Sequence, residues 1–181
     1  MDDFIQEIRD NLIRKNYLSA LALSLTLPDI CGKIAYPNMK NKYGYPDIGG
    51  RYAKWYDENI YAYENLPNEK QMDPLDGKAV YKLRCLFLHA GSNDIKKFLK
   101  NESTENFSEY KFIFTDSITK ISHHWIQGKE DQKTIDIQIN IVDFCNKICR
   151  TAENFIKKHS KEYLFKNIIF SFSKGDDNYD L

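Results

Sequence analysis

The segment from residue 77 to 91, GKAVYKLRCLFLHAG, constrains this chain more than any other. Val80, Leu83 and Phe87 recur at helical spacing, and Tyr81, Cys85 and Leu88 form an adjacent stripe. A helix that is apolar over most of its circumference belongs in an interior. This one also carries an arginine and a histidine, Arg84 and His89. A guanidinium does not shed its charge, so on a buried helix it requires a partner. The pair therefore joins an internal polar network, or it faces a cleft or a subunit interface. Arginine is scarce here, at positions 9, 14, 51, 84 and 150 only, so Arg84 does not belong to a general basic background.

The flanking sequence predicts more helix. Phe4, Ile5, Ile8, Leu12 and Ile13 have helical spacing and predict a first helix over about 3–15. Residues 17–34, YLSALALSLTLPDICGKI, predict a second, more buried helix. Pro28 should kink it or begin a new helix in its first turn. A loop rich in Pro, Gly, Asn and Tyr follows over 37–50. Tyr52, Trp55, Tyr56, Ile60 and Tyr63 then predict an aromatic-faced helix within 47–63. A second loop spans 66–76, and Asp76 is placed to cap the Arg84 helix, which should end near Ala90 and Gly91.

The period changes after residue 109. YKFIFT (110–115), TKISHHWIQ (119–127) and KTIDIQI (133–139) read as strands, with residues 128–132 as the turn between the last two. They predict a small antiparallel sheet of two or three strands, inserted over about 110–139. Helical spacing returns at Ile141 and continues through Phe144, Cys145, Ile148, Cys149, Ala152, Phe155 and Ile156, to about 161. The polar tail over 174–181 is expected to fray. A chain of 181 residues suits a single domain spanning 1–181.

Composition narrows the function classes. Lysine plus arginine balance aspartate plus glutamate, 26 to 26, so the chain has no overall field to attract nucleic acid. Any RNA or DNA site must rest on a local patch. The four cysteines form no CxxC pair, which suits a reduced, cytoplasmic protein. The charged amphipathic N-terminus is unlike a signal peptide, and no apolar run is expected to span a membrane.

RCLFLH resembles the Arg-x4–6-His signature of the HEPN superfamily, with Arg84 and His89 as the matching residues and Gly91 just beyond. The resemblance covers the helical frame, about 3–89 plus the last helix; the strands lie outside it. It implies a mainly α fold, a HEPN-like helical bundle carrying the inserted sheet. It also implies a homodimer that cleaves RNA without metal or other cofactor, as toxins and phage-defence effectors of that family do. An antitoxin or other regulatory protein partner would follow from such a role. Many active members carry Asn, Asp or His directly after the arginine; this chain has Cys85.

The chemistry fits the residue types. Five positions set Arg84 and His89 about 140° apart around one helix and about 7.5 Å apart along it. Two such helices packed across a dimer axis can bring the His of one near the Arg of the other. His89 has the acid–base range to take a proton from a ribose 2′-hydroxyl and return one to the leaving 5′ oxygen. Arg84 presents a planar fork to the phosphate. The products would end in 2′,3′-cyclic phosphate. Asp29, in the apolar context LTLPDICG, is a candidate partner for Arg84, or merely an acidic residue favoured in a first helical turn.

Plainer readings stand beside these. The Arg84–His89 pair could be structural in an inert HEPN-like module that binds or assembles, or in an unrelated α+β domain. Arg51 and Lys54, interleaved with aromatics, suggest RNA stacking, although aromatics at helical spacing more often form core. Lys96 and Lys97 offer a local phosphate patch. Neighbouring His123 and His124 point to opposite faces of a strand, and Cys145 and Cys149 read as core packing, so no metal site is expected.

Overall fold

The computed structural model describes residues 2–64, 75–88, 109–116, 123–127 and 134–159. Its helices are α1 (Asp2–Ile13), α2 (Tyr17–Ser24), α3 (Leu27–Ala35), α4 (Ile48–Tyr56), the one-turn α5 (Ala62–Glu64), α6 (Gly77–Leu88) and α7 (Ile141–His159). Strands β1 (Glu109–Thr115), β2 (His123–Gln127) and β3 (Thr134–Asn140) fall between α6 and α7. Among the described residues the chain is mainly helical, with a small sheet.

The helices form where apolar spacing and end chemistry agree. Pro28 lies at the start of α3, so the apolar stretch after Tyr17 is two helices rather than one. A proline is tolerated there because the first-turn amides have no intrahelical partner to lose. The stretch Tyr17–Ala35 does reach the length and mean hydropathy (1.3) of a membrane span, contrary to the expectation from sequence. Its α-helical run is interrupted at Leu25 and Thr26, and Leu21, Leu25, Leu27 and Cys31 are buried in the core. Asp47 caps α4 by accepting from the Gly50 amide at 2.9 Å, and Asp76 caps α6 by accepting from the Ala79 amide at 2.7 Å. Beyond α4 the backbone widens into a π-helical segment, Asp57–Tyr61. Tyr52, Trp55, Tyr56 and Ile60 are buried as the aromatic spacing predicts, whereas Tyr63 is exposed.

Helix α7 is the spine of the bundle. It packs against α1, α2 and α3, and its stripe from Ile141 to Ile156 closes the core. Arg9 of α1 and Glu153 of α7 form an ion pair at 2.7 Å. Helices α3 and α4 pack closely, and α6 lies along α4. Both approaches depend on glycine. A Cβ at Gly32 would stand 2.7 Å from the Arg51 carbonyl oxygen, and one at Gly77 would stand 2.2 Å from the Ala53 carbonyl oxygen.

The sheet corrects the expectation of an antiparallel insertion. Its order is β1-β3-β2, with β1 parallel to β3 and β2 antiparallel to β3. Glu109 pairs with Thr134 and Thr115 with Asn140 along the parallel ladder. The chain crosses from β1 to the far edge, returns, and lays β3 in the middle. Strand β3 takes that place because Ile137 and Ile139 are buried, while its last residue, Asn140, caps α7 by accepting from the Val142 and Asp143 amides at 3.0 and 3.1 Å. Hairpin signals report only sequence neighbours, so they cannot reveal a strand that inserts between two earlier ones. The expected turn at 128–132, the end of the Arg84 helix at 90–91 and the tail at 174–181 lie outside the described residues.

Candidate functional site

Three helices bring three charged side chains together. Asp29 is in the first turn of α3, Arg51 in α4 and Arg84 in α6. Nη2 of Arg84 is 3.1 Å from Oδ2 of Asp29 and donates a hydrogen bond to it. Nη2 of Arg51 is 3.9 Å from Oδ1 of the same carboxylate. The side chains retain 17%, 12% and 23% of their accessible surface for Arg84, Arg51 and Asp29, so the cluster lies at the boundary of the interior.

The local sequence explains the convergence. Pro28 starts α3 immediately before Asp29, and Gly32 follows one turn later. The missing side chain at Gly32 lets the α4 backbone come close at Arg51. Gly77 does the same for the start of α6 against Ala53, which sets the height at which Arg84 meets α3.

Two guanidinium groups on one carboxylate leave a net positive charge. Nε of Arg84, Nε of Arg51 and Oδ1 of Asp29 are buried without a hydrogen-bond partner among the described residues. Each unpaired buried polar atom costs about 1–3 kcal/mol, and here two are guanidinium donors and one is an oxygen of the acid itself. The net positive charge of the cluster suits an anion.

Aromatic rings complete the surround. The Arg84 guanidinium carbon lies 5.9 Å from the ring centroid of Tyr81, within cation–π range. Tyr81 in turn is tilted against Tyr52, with ring centroids 5.2 Å apart. Tyr52 is fully buried and its hydroxyl donates to the Leu25 carbonyl at 3.1 Å. Burial pushes its phenol well above the ordinary tyrosine range, despite the opposing effect of Arg84. Burial also raises Tyr81, to about 12, with the neighbouring Cys85 thiol adding to the effect. Both phenols stay protonated at neutral pH and act as donors, not as bases.

The structure joins some of the sequence-derived candidates and separates others. It brings Asp29 and Arg84 into contact, and it adds Arg51 as a second arginine on the same acid. Of the two readings of the aromatic run beside Arg51, the structure shows core: Tyr52, Trp55 and Tyr56 are wholly buried. Lys54 is exposed, lies over the Tyr36 ring at 4.7 Å and is 3.9 Å from Glu58. Cys85 is half-buried one residue beyond Arg84. His89, Lys96 and Lys97 lie outside the described residues. The last part of α6 is also more open than its apolar sequence predicts: residues from Arg84 to Leu88 are half-buried, whereas Ala79, Val80 and Leu83 are buried. Sequence reasoning missed Tyr81 and the role of Arg51. The available signal was Gly32, whose small size one turn after Asp29 marks a close helix crossing.

No known protein-family model matches the chain, and no curated protein or solved structure matches it.

Proposed function

We propose that the chain is a metal-independent endoribonuclease of the HEPN type that works as a homodimer. In this reading Arg84 steadies the scissile phosphate and His89 moves the protons, leaving 2′,3′-cyclic phosphate ends. One observation carries it. Arg84 is gripped by Asp29 at 3.1 Å, while a second arginine shares that carboxylate and unpaired Nε–H donors remain. An oriented, partly open guanidinium with surplus positive charge is what charge stabilisation at phosphorus requires. A toxin or antiviral effector, held in check by an antitoxin or other regulatory protein, is the biological role this chemistry fits.

A second reading has its own support. Asp29 already holds Arg84 within one chain, and Cys85 stands where active relatives of the motif carry a hydrogen-bonding residue. Both features fit an inert HEPN-like module that binds or assembles.

The test is cleavage of a labelled mixed-sequence RNA in EDTA by wild type, His89→Ala and Arg84→Ala proteins prepared identically. The ribonuclease reading expects cutting by wild type alone, with cyclic-phosphate ends. Equal cutting by all three proteins would overturn it, as would intact RNA with a folded wild-type dimer across diverse RNA pools.

A further inference from the structure

The loop between α3 and α4, YPNMKNKYGYP over 36–46, holds two aromatic rings out in water. Tyr43 is 71% exposed and Tyr45 is 69% exposed. Scattered exposed aromatics are ordinary, but two on one short loop form a patch. The backbone beneath them is firmly tied. Oδ1 of Asn41 accepts from the Tyr43 amide at 2.9 Å and from the Tyr45 amide at 3.2 Å. The Asn41 amide donates to the Tyr45 carbonyl at 2.8 Å, and the Gly44 amide donates to the Asn41 carbonyl at 2.9 Å. Gly44, between the two tyrosines, has a φ of 83°, a left-handed conformation that glycine adopts without strain. At the neck, Lys40 bridges Pro46 in antiparallel fashion, and the Asp47 amide donates to the Met39 carbonyl at 3.0 Å.

The charge beside the rings has one sign. Residues 36–46 contain two lysines, Lys40 and Lys42, and no aspartate or glutamate. Both lysines are exposed. Lys42 lies over the Tyr43 ring, 5.0 Å from its centroid, which leaves the opposite ring face for another group. Asp47, the acid that follows, is occupied in capping α4 through the Gly50 amide. The loop also leads straight into the arginine cluster. The Arg51 amide donates to the Asp47 carbonyl at 3.1 Å, in the first turn of α4. Three chain steps take Tyr45 to Ile48, where α4 begins, and three helical steps take Ile48 to Arg51. The Cα atoms of Tyr45 and Arg51 are therefore at most about 16 Å apart, within the reach of a few nucleotides.

We propose that this loop is a binding surface for single-stranded RNA, in which unpaired bases stack on Tyr43 and Tyr45 while Lys40 and Lys42 hold adjacent phosphates of the strand that runs on to Arg84. The choice of RNA rests on the RNA-cleaving reading of Arg84. The residue set matches such a strand, because it offers a π face and a negative charge at every step. An acidic peptide would satisfy the lysines and leave the rings without a match, since rings on a loop tip present stacking faces rather than a pocket for apolar side chains.

The experiment is equilibrium binding of a short fluorescein-labelled single-stranded RNA in EDTA, read by anisotropy over a salt series. The full chain carries His89→Ala so that the probe stays intact. Adding Tyr43→Ala and Tyr45→Ala is expected to weaken binding at least about tenfold while leaving the slope of log K against log salt nearly unchanged. Tyr43→Phe with Tyr45→Phe should bind within about twofold of the parent, because the ring and not the hydroxyl stacks. Lys40→Ala with Lys42→Ala should reduce the slope by about 1.4, from about 0.7 per lost phosphate contact. Tyr63→Ala, whose ring is 82% exposed on α5, should leave affinity and slope unchanged. The proposal is overturned if the Tyr43/Tyr45 alanine pair binds like the parent, if Tyr63→Ala has the same effect, or if the parent does not bind the RNA. It is overturned equally if duplex RNA of the same sequence binds as tightly, or if poly-glutamate displaces the probe as well as unlabelled strand does, which would mark a surface for acidic polypeptides. Tyrosine-dependent binding by a wild type that cuts no RNA would sink the ribonuclease reading and leave the surface standing. Cutting by a wild type whose RNA affinity ignores both tyrosines would do the reverse.

Discussion

Replacing Asp29 with asparagine isolates the central electrostatic claim. The substitution keeps the volume of the side chain and removes the negative charge that Asp29 places between Arg51 and Arg84, at 3.9 and 3.1 Å. Losing one partner of a fully buried pair costs about 3–5 kcal/mol, and losing an exposed pair costs about 0–1 kcal/mol. Here all three side chains retain between 12% and 23% of their surface, so water screens the cluster in part. An intermediate loss of about 2 kcal/mol follows, since two guanidinium groups are left facing each other. Urea unfolding is a suitable assay. With a slope of about 2 kcal/mol per molar, the midpoint should fall by roughly 1 M. A double-mutant cycle with Arg84→Gln then separates the pair from its surroundings, with an expected coupling of about 1–2 kcal/mol. A stability loss below about 0.5 kcal/mol together with zero coupling would refute the argument, because it would mean that Asp29 neither holds Arg84 nor offsets Arg51.

Three further predictions follow from the fold. Gly77→Ala would place a methyl 2.2 Å from the Ala53 carbonyl oxygen, backbone that cannot swing aside, so thermal unfolding should show a loss of at least about 1–3 kcal/mol despite the better helix propensity of alanine. Burial raises the thiols of Cys31 and Cys149 to about 12 and that of Cys145 to about 11, so alkylation of the folded protein near pH 8 should mark Cys85 and spare those three. Mass spectrometry reads the outcome, and labelling of Cys31 ahead of Cys85 would contradict the packing. Hydrogen bonds from Lys157 and Arg9 hold Glu153 below the ordinary carboxylate range. The folded state therefore binds the proton less tightly than the unfolded chain. The stabilisation is present above the ordinary carboxylate pKa and disappears as pH falls through the lower folded value. Glu153→Gln should flatten that part of the acid unfolding curve, measured by circular dichroism; an unchanged curve would show that the α1–α7 pair does not contribute.

Much of the site was legible residue by residue, because its signals are local. Arg84 stood out as a charge on an apolar stripe, and Asp29 as an acid in an apolar turn. Their pairing was a reasonable inference from the need of each for an opposite charge. The sequence left the use of the aromatic run beside Arg51 open, because aromatic residues read alike whether they stack on a ligand or fill a core. Burial of Tyr52, Trp55 and Tyr56 decides between those uses, and burial depends on where other helices pack. The openness of α6 from Arg84 to Leu88 was hidden for the same reason: apolar content states what a face favours, not whether this chain covers it.

The sequence by itself determined the helices, their caps and the strand positions, since periodicity, proline, aspartate and asparagine act within a few residues. It also determined that a charged pair had to be accommodated on an apolar helix. Tertiary structure alone decided that Arg51 and Arg84 share Asp29 and that β3 lies between β1 and β2. Those outcomes depend on how closely backbones approach at Gly32 and Gly77 and on which strand edge buries more apolar surface. Both are balances of packing between residues far apart in the chain, which spacing along the chain does not encode.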